Sequence, residues 1–185
     1  CCSFNDRSCW TRNQKVRRVG NLKTDIGLVF LFKQEGKISS VDLGDYMSDY
    51  EKLKEFWNSN KVEPERIEGR WVENEVFNRV VEQGLRDSEL VLDYGCGFGW
   101  GLFEMSFIGG FKKGVGIDTS VNSIDYCRRT AELSGMENLE FLCGDEKLLD
   151  GYKDGFDFIL TVNTLDVIPQ EVCDSIMERL SASLK

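Results

Sequence analysis

The chain has 185 residues, 41% hydrophobic and 30% charged, with twelve Phe and four Trp, enough apolar material for one buried core within the usual ~100–200 residues of a single domain. Two Pro and eighteen Gly exclude collagen-like and low-complexity classes. The longest clean apolar run, residues 26–32, is far short of the ~20 residues a membrane-spanning helix needs.

The net charge of −9 would repel a phosphate backbone and disfavours sequence-independent nucleic-acid binding. Residues 1–46 hold eight Lys/Arg against five Asp/Glu, whereas residues 47–185 hold fifteen against twenty-seven. The two stretches differ in kind. Seven Cys at irregular spacing argue against a disulfide framework and for a reducing, cytoplasmic compartment. Cys1, Cys2 and Cys9 have no fourth Cys or His nearby, so no metal site is expected. With no His at all, every Ser-His and Cys-His mechanism is excluded, and proton transfer falls to Asp, Glu, Lys, Tyr, Cys or water.

A basic stretch (Lys15, Arg17, Arg18) precedes the apolar run at 26–32, but no small-x-small site follows it, and a signal peptide is rejected. From Met47 the text changes. Tyr50, Leu53 and Trp57 fall at helical spacing behind Ser48 or Asp49 as N-cap. Residues 1–46 therefore read as an N-terminal extension and residues 47–185 as the folded unit, with an ordinary packed arm as the alternative for 1–46.

Downstream, strands and helices alternate. Val72, Val76, Phe77, Val80 and Val81 make a helical face that ends at Gly84. Residues 89–93 form a buried strand leading into glycines, and Leu102 to Ile108 form a helix stopped by Gly109 and Gly110. Residues 114–118 make a second strand, Val121 to Ala131 a helix, residues 139–143 a third strand and residues 156–162 a fourth. Residues 171–184 close as a helix. Near-continuous apolar strands alternating with helices imply a parallel sheet covered on both faces, a doubly wound α/β fold.

The chemistry concentrates after the first of these strands, in Asp93-Tyr94-Gly95-Cys96-Gly97-Phe98-Gly99. The dinucleotide spacing G-x-G-x-x-G fails here, as does the phosphate-loop pattern. An acid two residues before the first glycine would repel a pyrophosphate and suits an amino group or cation. Asp118 ends the second strand, where a carboxylate accepts hydrogen bonds from both ribose hydroxyls. Gly144 and Asp145 follow the third strand, where a carboxylate takes the exocyclic amine of adenine. The three acids describe a ligand with an amine, a ribose and an adenine, without phosphate. Taken singly, each has a plainer reading: Asp118 as a helix cap, Asp145 as a turn residue, Asn163 as a turn cap. Cys96 and Cys143 read as packing residues, and Trp57, Trp71 and Trp100 as core or lid.

These segments resemble the class I S-adenosylmethionine-dependent methyltransferases: residues 93–99 for the first motif, 116–118 for the second, 143–145 for the third and 155–163 for a fourth. The resemblance covers roughly residues 70–184. It implies S-adenosylmethionine as cofactor, with Gly95, Gly97 and Gly99 under the methionine part, Asp93 near its amino group, and Tyr94, Thr119 and Gly144 also among the cofactor-binding residues. Asp118 would hold the ribose, Asp145 the adenine, and Asn163 would lie by the methyl donor. Asp166 is a candidate base for a hydroxyl acceptor. The Asp/Asn-Pro-Pro-Tyr box of base-methylating relatives is missing from Asn163-Thr164-Leu165-Asp166, as is the Pro-Cys nucleophile, which points to a small-molecule acceptor more than to nucleic acid. Aminopropyl transfer and a non-catalytic binding module stay open as alternatives.

The family's sheet usually has seven strands. About four are expected in this chain, leaving the fourth as an exposed apolar edge. A fragment truncated at both ends, or completion by a partner chain or by further C-terminal strands, is the resulting expectation.

Overall fold

The computed structural model describes residues 14–18, 28–33, 51–52, 54–70 and 75–185. Six strands form one sheet: β1 Gln14–Arg18, β2 Leu28–Lys33, β3 Ser88–Tyr94, β4 Phe111–Asp118, β5 Leu139–Cys143 and β6 Phe158–Val162. Their order is β1-β2-β6-β3-β4-β5. β1 and β2 run antiparallel, and every other neighbouring pair is parallel. The four expected strands are therefore β3, β4, β5 and β6, in a Rossmann-like parallel arrangement.

The edge of β6 is not open. β2 lies alongside it, with Leu28 opposite Ile159 and Leu31 opposite Val162. The expected exposed edge is corrected by this pairing: residues 28–31 bring unpaired backbone groups of their own, and two edges satisfy each other. Two pieces of the stretch 1–46 thus carry strand backbone. Met47, Ser48, Asp49, Tyr50, Leu53, Trp71, Val72 and Cys1, Cys2 and Cys9 lie outside the described residues.

Among the described residues the helices α1 Glu75–Leu85, α2 Trp100–Ile108, α3 Val121–Ser134 and α4 Gln170–Ser183 accompany the sheet. A 3-10 helix, Glu146–Tyr152, bridges β5 and β6, and residues 51–52 and 54–59 are helical. Side chains alternate across a strand, and β3 and β6 divide accordingly. Val91, Phe158 and Leu160 face one core with Phe77, Val81, Leu102, Phe103 and Ile124. Leu92 and Ile159 face the other with Val115, Phe156, Ile176 and Leu180. Both faces are buried, which is why the strands read as continuous apolar runs.

Gly84 lies inside α1 and does not end it. A Cβ there would sit 2.2 Å from the Phe158 ring, so the glycine is the close approach that lets helix and sheet meet. β4 begins three residues earlier than the sequence suggests, at Phe111. Ser120 caps α3, its hydroxyl oxygen accepting from the Ser123 N–H at 3.2 Å, and Gly135 closes the other end in the left-handed region. Among the described residues no helix is long and apolar enough to cross a membrane.

Candidate functional site

The chain runs from β3 outward to β4 and β5, then returns to place β6 on the other side of β3. The crevice beyond the carboxyl ends of strands at such a reversal is the natural ligand site of an open parallel sheet. A cavity of about 240 Å³ lies there. Tyr94, Gly95 and Gly97 form one wall, Asp118 ends β4 and Thr119 follows it, Gly144 follows β5, and Asn163 and Thr164 follow β6.

The wall is built by backbone geometry. Gly95, Gly97 and Gly99 all have positive φ, at 71°, 50° and 78°. The Gly95 and Cys96 N–H groups both donate to the Ile117 carbonyl, at 2.8 and 3.1 Å, tying the loop to β4. A Cβ at Gly97 would meet no protein atom within 4 Å, so a side chain there would project into space the cavity holds open. A Cβ at Gly95 would instead lie 2.3 Å from the Thr164 side chain.

Asp118 organises the loop from below. Its Oδ2 accepts from the Gly97 N–H at 2.8 Å and its Oδ1 from the Ser120 N–H at 2.8 Å. Burial raises its pKa above the ordinary carboxylate value, and the N–H groups of Ser120, Gly97 and Thr119 oppose that rise. The carboxylate shapes the turn before α3, as the plainer reading has it, and it also lines the cavity. Three N–H groups take three of the carboxylate's about four lone-pair sites, which leaves one for a ligand hydroxyl.

Three expected cofactor contacts sit elsewhere. Asp93 is buried beneath the first turn of α2: a Cβ on Gly101 would lie 2.7 Å from its Oδ2. Burial pushes its pKa up to about 7, the Leu102 N–H pulls against that, and the Asp118 charge adds to it. Gly99 stands at the N-cap of α2, where a Cβ would meet Cys127 and Phe103 at 2.8 Å. Asp145 caps the 3-10 helix, accepting from the Lys147 N–H at 3.0 Å. None of the three lines the cavity. Asp166 is exposed and also off the cavity wall, and partial desolvation of its carboxyl raises its pKa.

Asn163 combines a left-handed backbone, φ 51°, with a buried Oδ1 that has no hydrogen-bond partner among the described residues. Such positions cost energy, and strained residues of this kind gather at functional sites. Its neighbour Thr164 was not singled out by the sequence, where no local pattern marks it. The Thr164 hydroxyl shares its proton between the carbonyls of Gly95, at 3.2 Å, and Val162, at 3.1 Å, joining the turns after β3 and β6. Thr164→Val is expected to lower stability by about 1 kcal/mol, read by urea unfolding, with Thr164→Ser close to the parent. Equal stability of the valine variant would sink that role.

Burial pushes the Cys96 thiol well above its ordinary value, with neighbouring Cys127 next in effect, so Cys96 is protonated near neutrality and serves as packing. Among the described residues no cluster of three or more potential metal ligands forms.

The family model described as "Methyltransferase domain" matches residues 85–185. The chain belongs to that family. Among solved structures, the methyltransferase domain is similar to the YcgJ protein from Bacillus subtilis, at 19% identity and TM-score 0.51 over 60% of this chain and 47% of that one. It is similar to PKMT2 from Rickettsia typhi in complex with AdoHcy, at 25% identity and TM-score 0.50 over 59% of this chain and 22% of that one. It also resembles the [4+2]-cyclase SpnF, at 17% identity and TM-score 0.54 over 76% and 54%. The methyltransferase domain thus spans about half or less of the first two of these proteins. Among curated proteins none matches the sequence.

Proposed function

We propose that this methyltransferase domain binds S-adenosylmethionine in the cavity at the β3/β6 reversal and directs its methyl group to a small-molecule acceptor. The single observation that carries the reading is the joint geometry of Gly97 and Asp118. A glycine keeps the cavity wall open, and the carboxylate that holds that glycine's N–H retains acceptor capacity toward the same space.

The residues fit the cofactor's chemistry. Asp118 suits the ribose hydroxyls, Phe98 and Ile117 offer apolar surface on the lining, and the orphaned Asn163 Oδ1 is an acceptor in want of a donor. Thr119 and Gly144 border the same space from the β4 and β5 ends. Asp93 contributes from beneath the loop, by its hold on the start of α2. When bound, S-adenosylmethionine supplies a sulfonium methyl for in-line transfer. The chain's part is to bind, orient and exclude water, and alignment of this kind can be worth ~7–11 kcal/mol. A small acceptor accords with the net charge of −9 and with the missing Pro-Pro after Asn163.

Calorimetric titration of S-adenosylmethionine, then S-adenosylhomocysteine, into the chain tests this reading. Micromolar binding is expected, with Asp118→Ala weakening it about tenfold, the worth of a good charged hydrogen bond. A folded chain that binds neither compound, or an Asp118→Ala variant that binds as well as the parent, would remove the proposal. Titration of decarboxylated S-adenosylmethionine separates the aminopropyl alternative, which requires that compound to bind more tightly.

A further inference from the structure

Gly97 is part of the cavity wall, yet no side chain fixes its shape. Its φ is 50°, and the place of its missing Cβ is open, with no protein atom within 4 Å. A glycine in that setting turns more freely than any other residue. What holds it is hydrogen bonding at its own N–H and C=O.

At one end the Gly97 N–H donates to Asp118 Oδ2 at 2.8 Å. The other end is held from α3. The Cys127 thiol, 30 positions away, donates to the Gly97 carbonyl at 3.3 Å, and the Cys96 thiol approaches the same oxygen at 3.8 Å. Cys127 is fully buried. It also stands beneath Gly99, where a Cβ would lie 2.8 Å from its Sγ. The residue before it in α3 braces the loop as well: the Tyr126 ring meets the Phe98 ring edge to face, with centroids 5.2 Å apart. Phe98 lines the cavity beside Gly97.

An apolar side chain of the same size would fill the space beneath Gly99 and would leave the Gly97 carbonyl without this donor. That carbonyl belongs to the peptide joining Gly97 to Phe98. Rotation of the peptide therefore changes two lining residues at once.

We propose that Cys127 is a positioning residue for the methyl donor: its thiol fixes the Gly97–Phe98 peptide and with it the wall that the donor meets. Cys127 does not itself line the cavity and acts through Gly97. The inference rests on the donor reading above and deepens it, since it names what keeps the glycine wall in its binding shape.

The test titrates S-adenosylhomocysteine into the full chain and into two variants by calorimetry. Cys127→Ala removes the donor, and Cys127→Ser keeps one at the same place. The alanine variant is expected to bind about fivefold more weakly, the size of one lost hydrogen bond, and the serine variant to match the parent. Exchange of the Gly97 amide hydrogen, followed by NMR, should be faster in the alanine variant and unchanged in the serine variant. Ile176→Val, a truncation in the other core, shows what lost packing alone does and is expected to leave affinity unchanged. An alanine variant that binds like the parent, a serine variant as weak as the alanine one, equal Gly97 exchange in all three chains, or an equal loss in Ile176→Val would each overturn the proposal. Failure of S-adenosylhomocysteine to bind the parent chain strikes the donor reading instead, so the two failures are told apart in the first titration. Circular dichroism of each variant separates lost binding from lost folding.

Discussion

Gly95→Ala is expected to abolish S-adenosylmethionine binding and to lower stability by about 2–4 kcal/mol. The residue sits at φ 71°, where any Cβ is strained, and that Cβ would overlap the Thr164 side chain at 2.3 Å. Relief requires moving Thr164 off the Gly95 carbonyl or moving the loop off Ile117, and either motion deforms the cavity wall. Gly97→Ala is the informative comparison. Its φ of 50° is also left-handed, but its Cβ meets nothing within 4 Å, so it should cost about 1–2 kcal/mol while still obstructing the donor. Urea unfolding and calorimetry read both quantities. A Gly95→Ala chain as stable as the parent would show that the two turns are not clamped together.

The second large effect is a fall in stability as pH rises. Asp93 titrates near 7 in the folded chain against 3.8 as an ordinary carboxylate. Between those values the folded state holds a proton that the unfolded state has lost, so the unfolded state binds fewer protons and stability decreases with pH. For this group alone the loss between about pH 5 and about pH 8 is on the order of 2–3 kcal/mol. It continues until pH passes the folded value and then levels off. Asp118 is shifted in the same direction by burial and adds to the trend. Asp93→Asn keeps an oxygen for the Leu102 N–H and removes the titration, so the variant's stability should vary less with pH than the parent's. Identical slopes for the two chains, measured by urea unfolding across that range, would rule the assignment out.

A raised carboxylate beneath a glycine loop has a cause visible in the packing. The residues around Asp93 are sheet on one side and the consecutively buried start of α2, Gly101 to Met105, on the other. Glu104 is buried in the same turn and is met by the Arg70 Nε at 3.2 Å. The neighbouring acid has a cation; Asp93 has a backbone N–H and the nearby negative charge of Asp118.

Much of the core was legible in the sequence. β5 and the carboxyl end of β3 follow from apolar runs that end in Gly or Asp, and α3 from its capping Ser120 and terminating Gly135. Those signals are local, and they survive because each element's faces are decided within about ten residues. Phe156 shows the limit. It continues the apolar pattern of β6 but leaves the ladder and forms an isolated bridge with Leu184, a contact set by where α4 returns. The 3-10 helix at Glu146–Tyr152 lacks a helix-length periodicity and went unread. Asp145, expected to take the adenine from its position after β5, caps that short helix, its Oδ1 accepting from the Lys147 N–H.

What the sequence determined by itself is the alternation of elements, the two-faced burial of the sheet and the placement of glycines and Asp118 at strand ends. Periodicity and glycine position depend only on neighbouring residues, so a linear text records them. What only the tertiary structure decided is which of those strand-end residues reach the cavity, and what stands opposite them. Thr164 meets Gly95 across 69 positions, Trp57 meets Ser120 across 63, and β2 reaches the edge of β6 from more than a hundred residues away. Such contacts arise because unpaired backbone groups and uncovered apolar faces must be satisfied by whatever the fold brings near, and no local pattern encodes the identity of a distant partner.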